Sequence, residues 1–217
     1  MGVNNPSTKR SITWSNFNSK TWKLHKPTVR LSYARLMIAG SFFSGALLYD
    51  SSEIQNILII GLGGGVINNY FSTMDKLQVR LLKNGELYDV LLIDVSYNDV
   101  RPLIAPVEEF LKDDEIQQIN KIIKENGAVI INVLTPKRTS RKLIVLFVYS
   151  RRFPSCYFME FAKFNKMLFC SKKEKNSWLD NRDELYDRYV MIDEKLQFNL
   201  VDEAHRNSDK NERKLDE

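Results

Sequence analysis

The stretch NILIIGLGGGVINNYF, Asn56 to Phe71, contains the most informative local pattern in the chain. Its apolar run, Ile57 to Ile60, is bounded by polar residues and glycine, which predicts a strand buried on both faces. The glycine cluster from Gly61 to Gly65 follows as a turn, and Val66 to Phe71 then begins a helix. Glycines let the backbone approach a ligand closely, and the N–H groups at a helix start bind polar or anionic atoms. The stretch therefore predicts a strand, a ligand-binding turn and a helix, with a turn that binds nothing as the alternative.

Apolar runs and helical patterns alternate along the rest of the chain. YDVLLIDV (Tyr88 to Val95) and AVIINVL (Ala128 to Leu134) predict two more buried strands, and CYFMEF and KMLFCS predict a closing antiparallel pair. Strands that alternate with helices predict an α/β architecture with a mostly parallel sheet. Helices are predicted at Arg30–Tyr49 with a break near Gly40 or Gly45, from Pro106 to a stop at Asn126-Gly127 with a break near Asp113, at Arg138–Tyr149 and at Trp178–Arg188, and Val79–Lys83 is predicted as a short helical or irregular piece.

The length of 217 residues suffices for one sizeable domain, which we place at residues 30–201. The net charge of +5 is unevenly spread, and residues 1–29 form a basic lead-in without a sustained period, which we expect to be poorly ordered. The charged residues 202–217 have too little apolar surface to fold and predict a disordered tail. No nucleic-acid-binding motif accompanies the basic lead-in, so nucleic acid is the least favoured partner.

The two cysteines, Cys156 and Cys170, give no sign of a disulfide framework and are interpreted as strand residues. A reducing compartment fits that interpretation. The apolar stretch from Leu36 to Tyr49 is too short to span a bilayer, so we expect a soluble, cytoplasmic protein. No His/Cys/Asp cluster has metal-ligand spacing, and no Ser/His/Asp or Cys/His nucleophile arrangement is present in the sequence.

Acidic residues follow the second predicted buried strand. Ligands in open α/β sheets bind beside the carboxyl ends of the strands, where Gly61–Gly65 and Asp94 would both lie. A carboxylate at Asp94 could hold a substrate amine or position a methyl donor, and Asp99 follows closely on the same loop. The alternative is that these acids cap the next helix.

Several of these segments taken together resemble a known family. ILIIGLGGG, YDVLLIDVSYND, ENGAVIINVL and the final pair around KMLFC resemble the spermidine-synthase-like methyltransferases, and RLMIAG (Arg35 to Gly40) resembles the segment before that family's first strand. The similarity runs from about Ser32 to Asp202. It implies a Rossmann-like class I methyltransferase fold that binds S-adenosylmethionine. In that family a related domain methylates the α-amine of translation elongation factor 1A, and related domains dimerise.

The resemblance also implies roles for individual residues. Asp94 would be the catalytic and substrate-binding acid close to the reacting amine, and Asp99 would follow it in the substrate loop. Relatives carry another acid two residues after Asp94, where this chain has Ser96. The loop near the methionine part of the cofactor would be formed by Gly61, Gly63, Gly64 and Gly65.

The family pattern requires more chain between the glycine loop and Asp94 than this sequence has. It places there a helix, a second strand ending in an acid for the ribose hydroxyls, another helix and a third strand, and one βαβ unit takes about 30 residues. Only the 28 residues from Val66 to Ile93 are present, and Glu86 follows an Asn-Gly turn rather than a strand. We therefore predict an internal deletion near Asp75 to Val79 that removes both strands. The first strand would become a sheet edge, and S-adenosylmethionine would bind poorly to a monomer.

Three functions follow from this interpretation. The first is an S-adenosylmethionine-dependent protein methyltransferase acting on the N-terminal amine or a lysine of elongation factor 1A. The second is a catalytically dead isoform or pseudoenzyme that keeps a dimerisation or interaction surface. The third is a polyamine aminopropyl transferase, which ranks last because the loop offers only Asp94 and Asp99 to hold a polycation.

Overall fold

The computed structural model describes residues 25–61, 63–135, 141–160, 165–174 and 177–203. Most of the predicted lead-in (residues 1–29) and most of the predicted tail (residues 202–217) lie outside these ranges. Within them, no helix is both long enough and apolar enough to cross a membrane.

A six-stranded sheet forms the centre of the fold, in the order β2-β1-β3-β4-β6-β5. The first four strands in this order run parallel, and β6 runs antiparallel to both β4 and β5. The predicted α/β architecture, with a mostly parallel sheet and a terminal antiparallel pair, is therefore confirmed. The strands are β1 (Gln55–Ile60), β2 (Leu77–Arg80), β3 (Tyr88–Ile93), β4 (Ile123–Leu134), β5 (Ser155–Glu160) and β6 (Asn165–Ser171).

Helices cover both faces of this sheet, because β1, β3 and β4 are apolar on both sides. One core lies between the sheet and α1, α2, α5 and α6, and a second core lies between the sheet and α3 and α4. A short 3₁₀ helix, Glu108–Leu111, precedes α3, which confirms the predicted break near Asp113. The helices are α1 (Ser32–Phe43), α2 (Val66–Phe71), α3 (Asp113–Ile122), α4 (Arg141–Ser150), α5 (Ser177–Asp180) and α6 (Arg182–Leu196).

The segment after α2 corrects three predictions. We predicted a helical or irregular piece at Val79–Lys83, but Leu77–Arg80 forms β2 and pairs in parallel with β1. The strand forms because β1 presents backbone N–H and C=O groups that need partners, while Leu77 and Val79 pack against the core. β1 is therefore not the sheet edge, and one strand is present where the sequence predicted none.

Helix α3 ends earlier than predicted. The stop was placed at Asn126-Gly127, but the helix ends at Ile122 and Ile123 already pairs with Tyr88 of β3. The register between β3 and β4 shifts just afterwards, and a Cβ on Gly127 would lie 2.8 Å from the carbonyl oxygen of Asp89. Gly127 therefore allows a close approach of two strands rather than ending a helix.

The two cysteines form a disulfide, which corrects the sequence interpretation and removes the support that it gave to a reducing compartment. Cys156 on β5 and Cys170 on β6 are register partners in the antiparallel pair, with Cα atoms 4.2 Å apart. Antiparallel pairing sets such residues directly opposite each other, within the reach of a disulfide. Their placement on strands is confirmed, whereas their pairing depends on a strand register that two isolated cysteines in a sequence do not show.

Candidate functional site

The glycine loop and the end of β3 meet at the carboxyl edge of the sheet. The N–H of Asp94 donates to the carbonyl of Ile60 (2.9 Å), which continues the pairing of β3 with β1. Gly61 has φ +90°, and a Cβ there would lie 2.2 Å from the carbonyl oxygen of Asp94. Only glycine fits this conformation and this approach without distortion. Gly61 is thus required by the contact between the two strand ends.

The remaining glycines of the loop leave its outer side open. Gly63 and Gly65 have φ values of +47° and +71°, and Gly65 immediately precedes α2. Among the described residues other than its chain neighbours, a Cβ on Gly63 would meet no atom within 4 Å, and one on Gly64 would meet only Val66, at 4.0 Å. The loop therefore exposes backbone that a ligand can approach.

Asp94 is held by two side chains from other elements. The side-chain amide of Asn132 donates to one carboxylate oxygen of Asp94 (2.8 Å), and the Tyr33 hydroxyl also donates to this carboxylate. Burial raises the pKa of Asp94 above its ordinary value, while the hydrogen bonds from Asn132 and Tyr33 act in the opposite direction. Asp94 is therefore a fixed, half-buried carboxylate.

Two further residues of the site, Tyr33 and Asn132, emerge only from the structure. Tyr33 lies in the first turn of α1, and its pKa is raised by burial and then by the charge of Asp94. Asn132 is 5% exposed on β4, and the Asn165 amide donates to it across to β6 (3.4 Å). The one available signal for Asn132 was a polar residue inside the apolar run AVIINVL, beside the strand that carries Asp94.

Asp99 does not join this arrangement. Its carboxylate is 60% exposed and pairs with Arg101 (2.8 Å), whose guanidinium lies 3.8 Å from the ring centre of Tyr97. It does not cap the following 3₁₀ helix either, because that helix has no side-chain cap. A substrate-binding role for Asp99 stays a prediction without a structural contact to Asp94.

The end of β2 lacks the carboxylate that the resemblance requires. β2 ends at Arg80, opposite Leu58 of β1, and is followed by Leu81 and Leu82, which are 89% and 66% exposed. The next acid, Glu86, pairs with Arg80 (3.5 Å). The carboxyl edge therefore has an ordered acid beside β3 and an apolar surface beside β2. No group of three metal-ligating side chains occurs within the described part of the chain.

Comparisons with known proteins give matches among solved structures alone. No protein-family model and no curated protein matches the chain. The crystal structure of human methyltransferase-like protein 13 in complex with SAH matches with a TM-score of 0.61 and 19% identity, over 77% of this chain and 93% of that one. A probable spermidine synthase from Corynebacterium glutamicum ATCC 13032 matches with a TM-score of 0.55 and 13% identity, over 71% of this chain and 69% of that one. At these identities the likeness establishes the fold, and the chain has a class I S-adenosylmethionine-dependent methyltransferase-like fold, as the sequence resemblance implied.

Proposed function

We propose that the chain is an S-adenosylmethionine-dependent methyltransferase-like protein that receives a protein amine at Asp94. The observation that supports this proposal is the Asp94 carboxylate, which is fixed by Tyr33 and Asn132 beside Gly61. Perturbed carboxylates at the carboxyl end of a parallel strand are candidates for function in this type of fold. By resemblance, the acceptor is the N-terminal amine or a lysine of elongation factor 1A, in the cytoplasm, and the protein acts as a homodimer.

The side chains around Asp94 suit an amine. An ionised carboxylate accepts hydrogen bonds from an amine and orients its lone pair, and Asn132 and Tyr33 keep the carboxylate in one position. The amine must be deprotonated before attack, and burial makes Asp94 a better proton acceptor than an exposed aspartate. The rest of the catalysis is alignment, and the donor would supply only the methyl group.

The described residues can accommodate only part of S-adenosylmethionine, the methyl donor. The open loop around Gly63 leaves room for the methionine portion. For the ribose, Arg80, Leu81 and Leu82 offer no carboxylate, and Glu86 is engaged by Arg80. We therefore propose that a monomer binds the donor weakly, because the hydrogen bonds and apolar burial of the nucleoside are missing.

The second candidate function, a catalytically dead protein that keeps an interaction surface, is favoured by the same end of β2. Exposed Leu81 and Leu82 stand where a ligand partner is required. The third candidate, an aminopropyl transferase, loses support because Asp99 is paired with Arg101 and leaves Asp94 as the one acid of the crevice among the described residues.

Two measurements test the proposal. Isothermal calorimetry with S-adenosylhomocysteine should give a dissociation constant weaker than about 10 μM, and a constant of about 1 to 10 μM would contradict the weak-donor proposal.

Transfer of a labelled methyl group to elongation factor 1A should be slow but measurable, and should disappear in Asp94→Asn while persisting in the exposed control Asp99→Asn. No incorporation with the unsubstituted chain favours the catalytically dead alternative.

A further inference from the structure

Two cations converge at the edge of the sheet opposite Asp94. Gly45 follows the C-terminus of α1 with φ +78°, Lys173 follows β6, and Arg188 lies on α6. A Cβ on Gly45 would lie 3.0 Å from Nη1 of Arg188 and 3.2 Å from Nζ of Lys173. Both positive groups therefore approach a single point that the absent side chain of Gly45 leaves open. We call Gly45, Lys173, Arg188, Tyr157 and Trp178 the Gly45 cluster.

Within the described part of the chain, no carboxylate pairs directly with either of these two cations. Among the residues that the structure describes, neither Lys173 nor Arg188 forms an ion pair, and the hydrogen bond of Lys173 goes to the backbone carbonyl of Ser44 (3.3 Å). Burial and then the charge of Arg188 lower the pKa of Lys173, and the charge of exposed Glu184 offsets this only in part. Like charges held together without a counter-charge are unfavourable, which indicates room for an anion.

The same cluster buries hydrogen-bond donors that have no acceptor among the described residues. These donors are Nε of Arg188, Nε1 of Trp178 and the hydroxyl of Tyr157. Trp178 is 2% exposed, and its ring meets the ring of Tyr157 edge-on at 5.1 Å. The charge of Arg188 also acts on the Tyr157 hydroxyl, which places these groups close together. Buried polar groups in folded proteins nearly always have partners, including bound ions and water.

A purely structural role explains only part of this arrangement. Cations stabilise the C-terminal end of a helix, and Lys173 does so for α1 through Ser44. That role leaves the buried donors of Arg188, Trp178 and Tyr157 without an acceptor. An oxyanion carries several acceptor lone pairs and a negative charge, so beside Gly45 it would neutralise both cations and offer an acceptor to Arg188, next to the buried donors of Tyr157 and Trp178.

We propose that the Gly45 cluster is an anion-binding site that takes a carboxylate or a phosphate group, with Lys173 and Arg188 as its charged ligands. Lys173, Arg188 and Gly45 are each half-buried, so the site is reachable from solvent. It lies at the amino edge of the parallel strands, away from Asp94, because Tyr33, which bonds Asp94, is in the first turn of α1, whereas Gly45 comes just after the other end of this helix. The site is therefore separate from the proposed amine site and does not depend on methyl transfer.

Anion titration of the full chain tests this site. Sodium phosphate in one arm and sodium acetate in the other, each at constant ionic strength against sodium chloride, should give a saturable rise in the unfolding temperature. The arm with the tighter binding identifies phosphate or carboxylate as the natural group. The indole N–H resonance of Trp178 should shift with the same midpoint; Trp178→Phe assigns it among the three tryptophans of the chain.

Substitutions make the test specific. Arg188→Gln and Lys173→Gln should each weaken the apparent affinity at least about tenfold, equivalent to about 1.4 kcal/mol. The control Arg182→Gln removes an exposed arginine from the same helix and should leave the affinity unchanged. Lys173→Gln keeps the test available if Arg188→Gln does not fold. Absence of a saturable shift, or an equal shift in the control and both variants, overturns the proposal and leaves water as the acceptor.

Discussion

The carboxyl edge of the sheet has two halves, the β3–β4 side and the β1–β2 side, which differ in whether their polar side chains are held by hydrogen bonds. On the β3–β4 side, Asp94, which follows β3, is linked to Asn132 on β4 and Tyr33 on α1. On the β1–β2 side, β2 ends at Arg80 and exposed leucines follow. Central strands are fixed by packing on both faces, whereas an edge strand contributes little to the core. The fold can therefore lose ligand contacts at its edge while the central carboxylate stays in place.

Gly61, where the two halves meet, should be the position at which a substitution lowers stability most. Gly61→Ala should destabilise the protein by about 3 kcal/mol, because the new Cβ would add backbone strain and a clash with Asp94. Gly63→Ala is the matched control, since its Cβ would meet no described atom within 4 Å outside its chain neighbours, and it should cost about 1 kcal/mol of backbone strain. Urea unfolding measures both values. Equal costs for the two variants would show that the halves are not in close contact.

The disulfide between β5 and β6 stabilises the end of the sheet opposite β2. Its cysteines are separated by 14 positions, and opening a loop of this size should cost up to about 3 kcal/mol through the entropy of the unfolded chain. The unfolding midpoint of the unsubstituted chain should fall on addition of a reductant. The double variant Cys156→Ala, Cys170→Ala should start from the lower midpoint and show no response to reductant. If the reductant still lowered the midpoint of the double variant, the disulfide would not be the source of the stabilisation.

Substitution of Asn132 tests the hydrogen bonding of Asp94 on the β3–β4 side directly. Asn132→Ala should cost about 1 to 2 kcal/mol, because a buried hydrogen bond to a carboxylate is lost. The pKa of Asp94 should also rise further, since the bond from Asn132 favours the ionised form. Carbon-13 NMR of the Asp94 carboxyl group measures this pKa. Asn98→Ala, an exposed substitution in the following loop, should change neither quantity.

Asp94→Asn should have a smaller, pH-dependent effect on stability. Burial raises the folded-state pKa of Asp94 above its ordinary value of 3.8, so the ionised carboxylate costs stability. The cost is absent below the unfolded pKa, grows as the pH rises from that value to the folded pKa, and is constant above it. The variant should therefore gain stability relative to the unsubstituted chain through this window. Urea unfolding from about pH 3 to about pH 7 measures the difference in the free energy of unfolding. If the unsubstituted chain became more stable than the variant as the pH rises, burial would not be the dominant influence on Asp94.

The sequence predicted the longer strands well and the shortest one wrongly. β1, β3 and the apolar part of β4 are continuous apolar runs, which have few alternatives to a buried strand. β2 has four residues with little apolar character, so its conformation follows from pairing with β1 rather than from its own pattern. The pairing of the cysteines is likewise a consequence of strand register.

The candidate site divides in the same way. Gly61 and Asp94 could be predicted because each follows a buried strand, and parallel strands end at a common edge. Tyr33 and Asn132 could not, because they come from α1 and β4 and approach Asp94 only through packing. Asp99 was predicted from its nearness in sequence, but the nearby Arg101 forms an ion pair with it at the surface.

Hydrophobic periodicity and glycine are local signals, so the amino-acid sequence specifies the alternation of strands and helices and places the glycine loop and Asp94 each after a buried strand. Packing of the folded chain selects the side chains that hold Asp94, pairs β2 with β1 and brings the two cations together beside Gly45. These features depend on strand register and helix packing between distant segments. Such contacts are selected by the burial of the whole core, which no single stretch of the chain specifies.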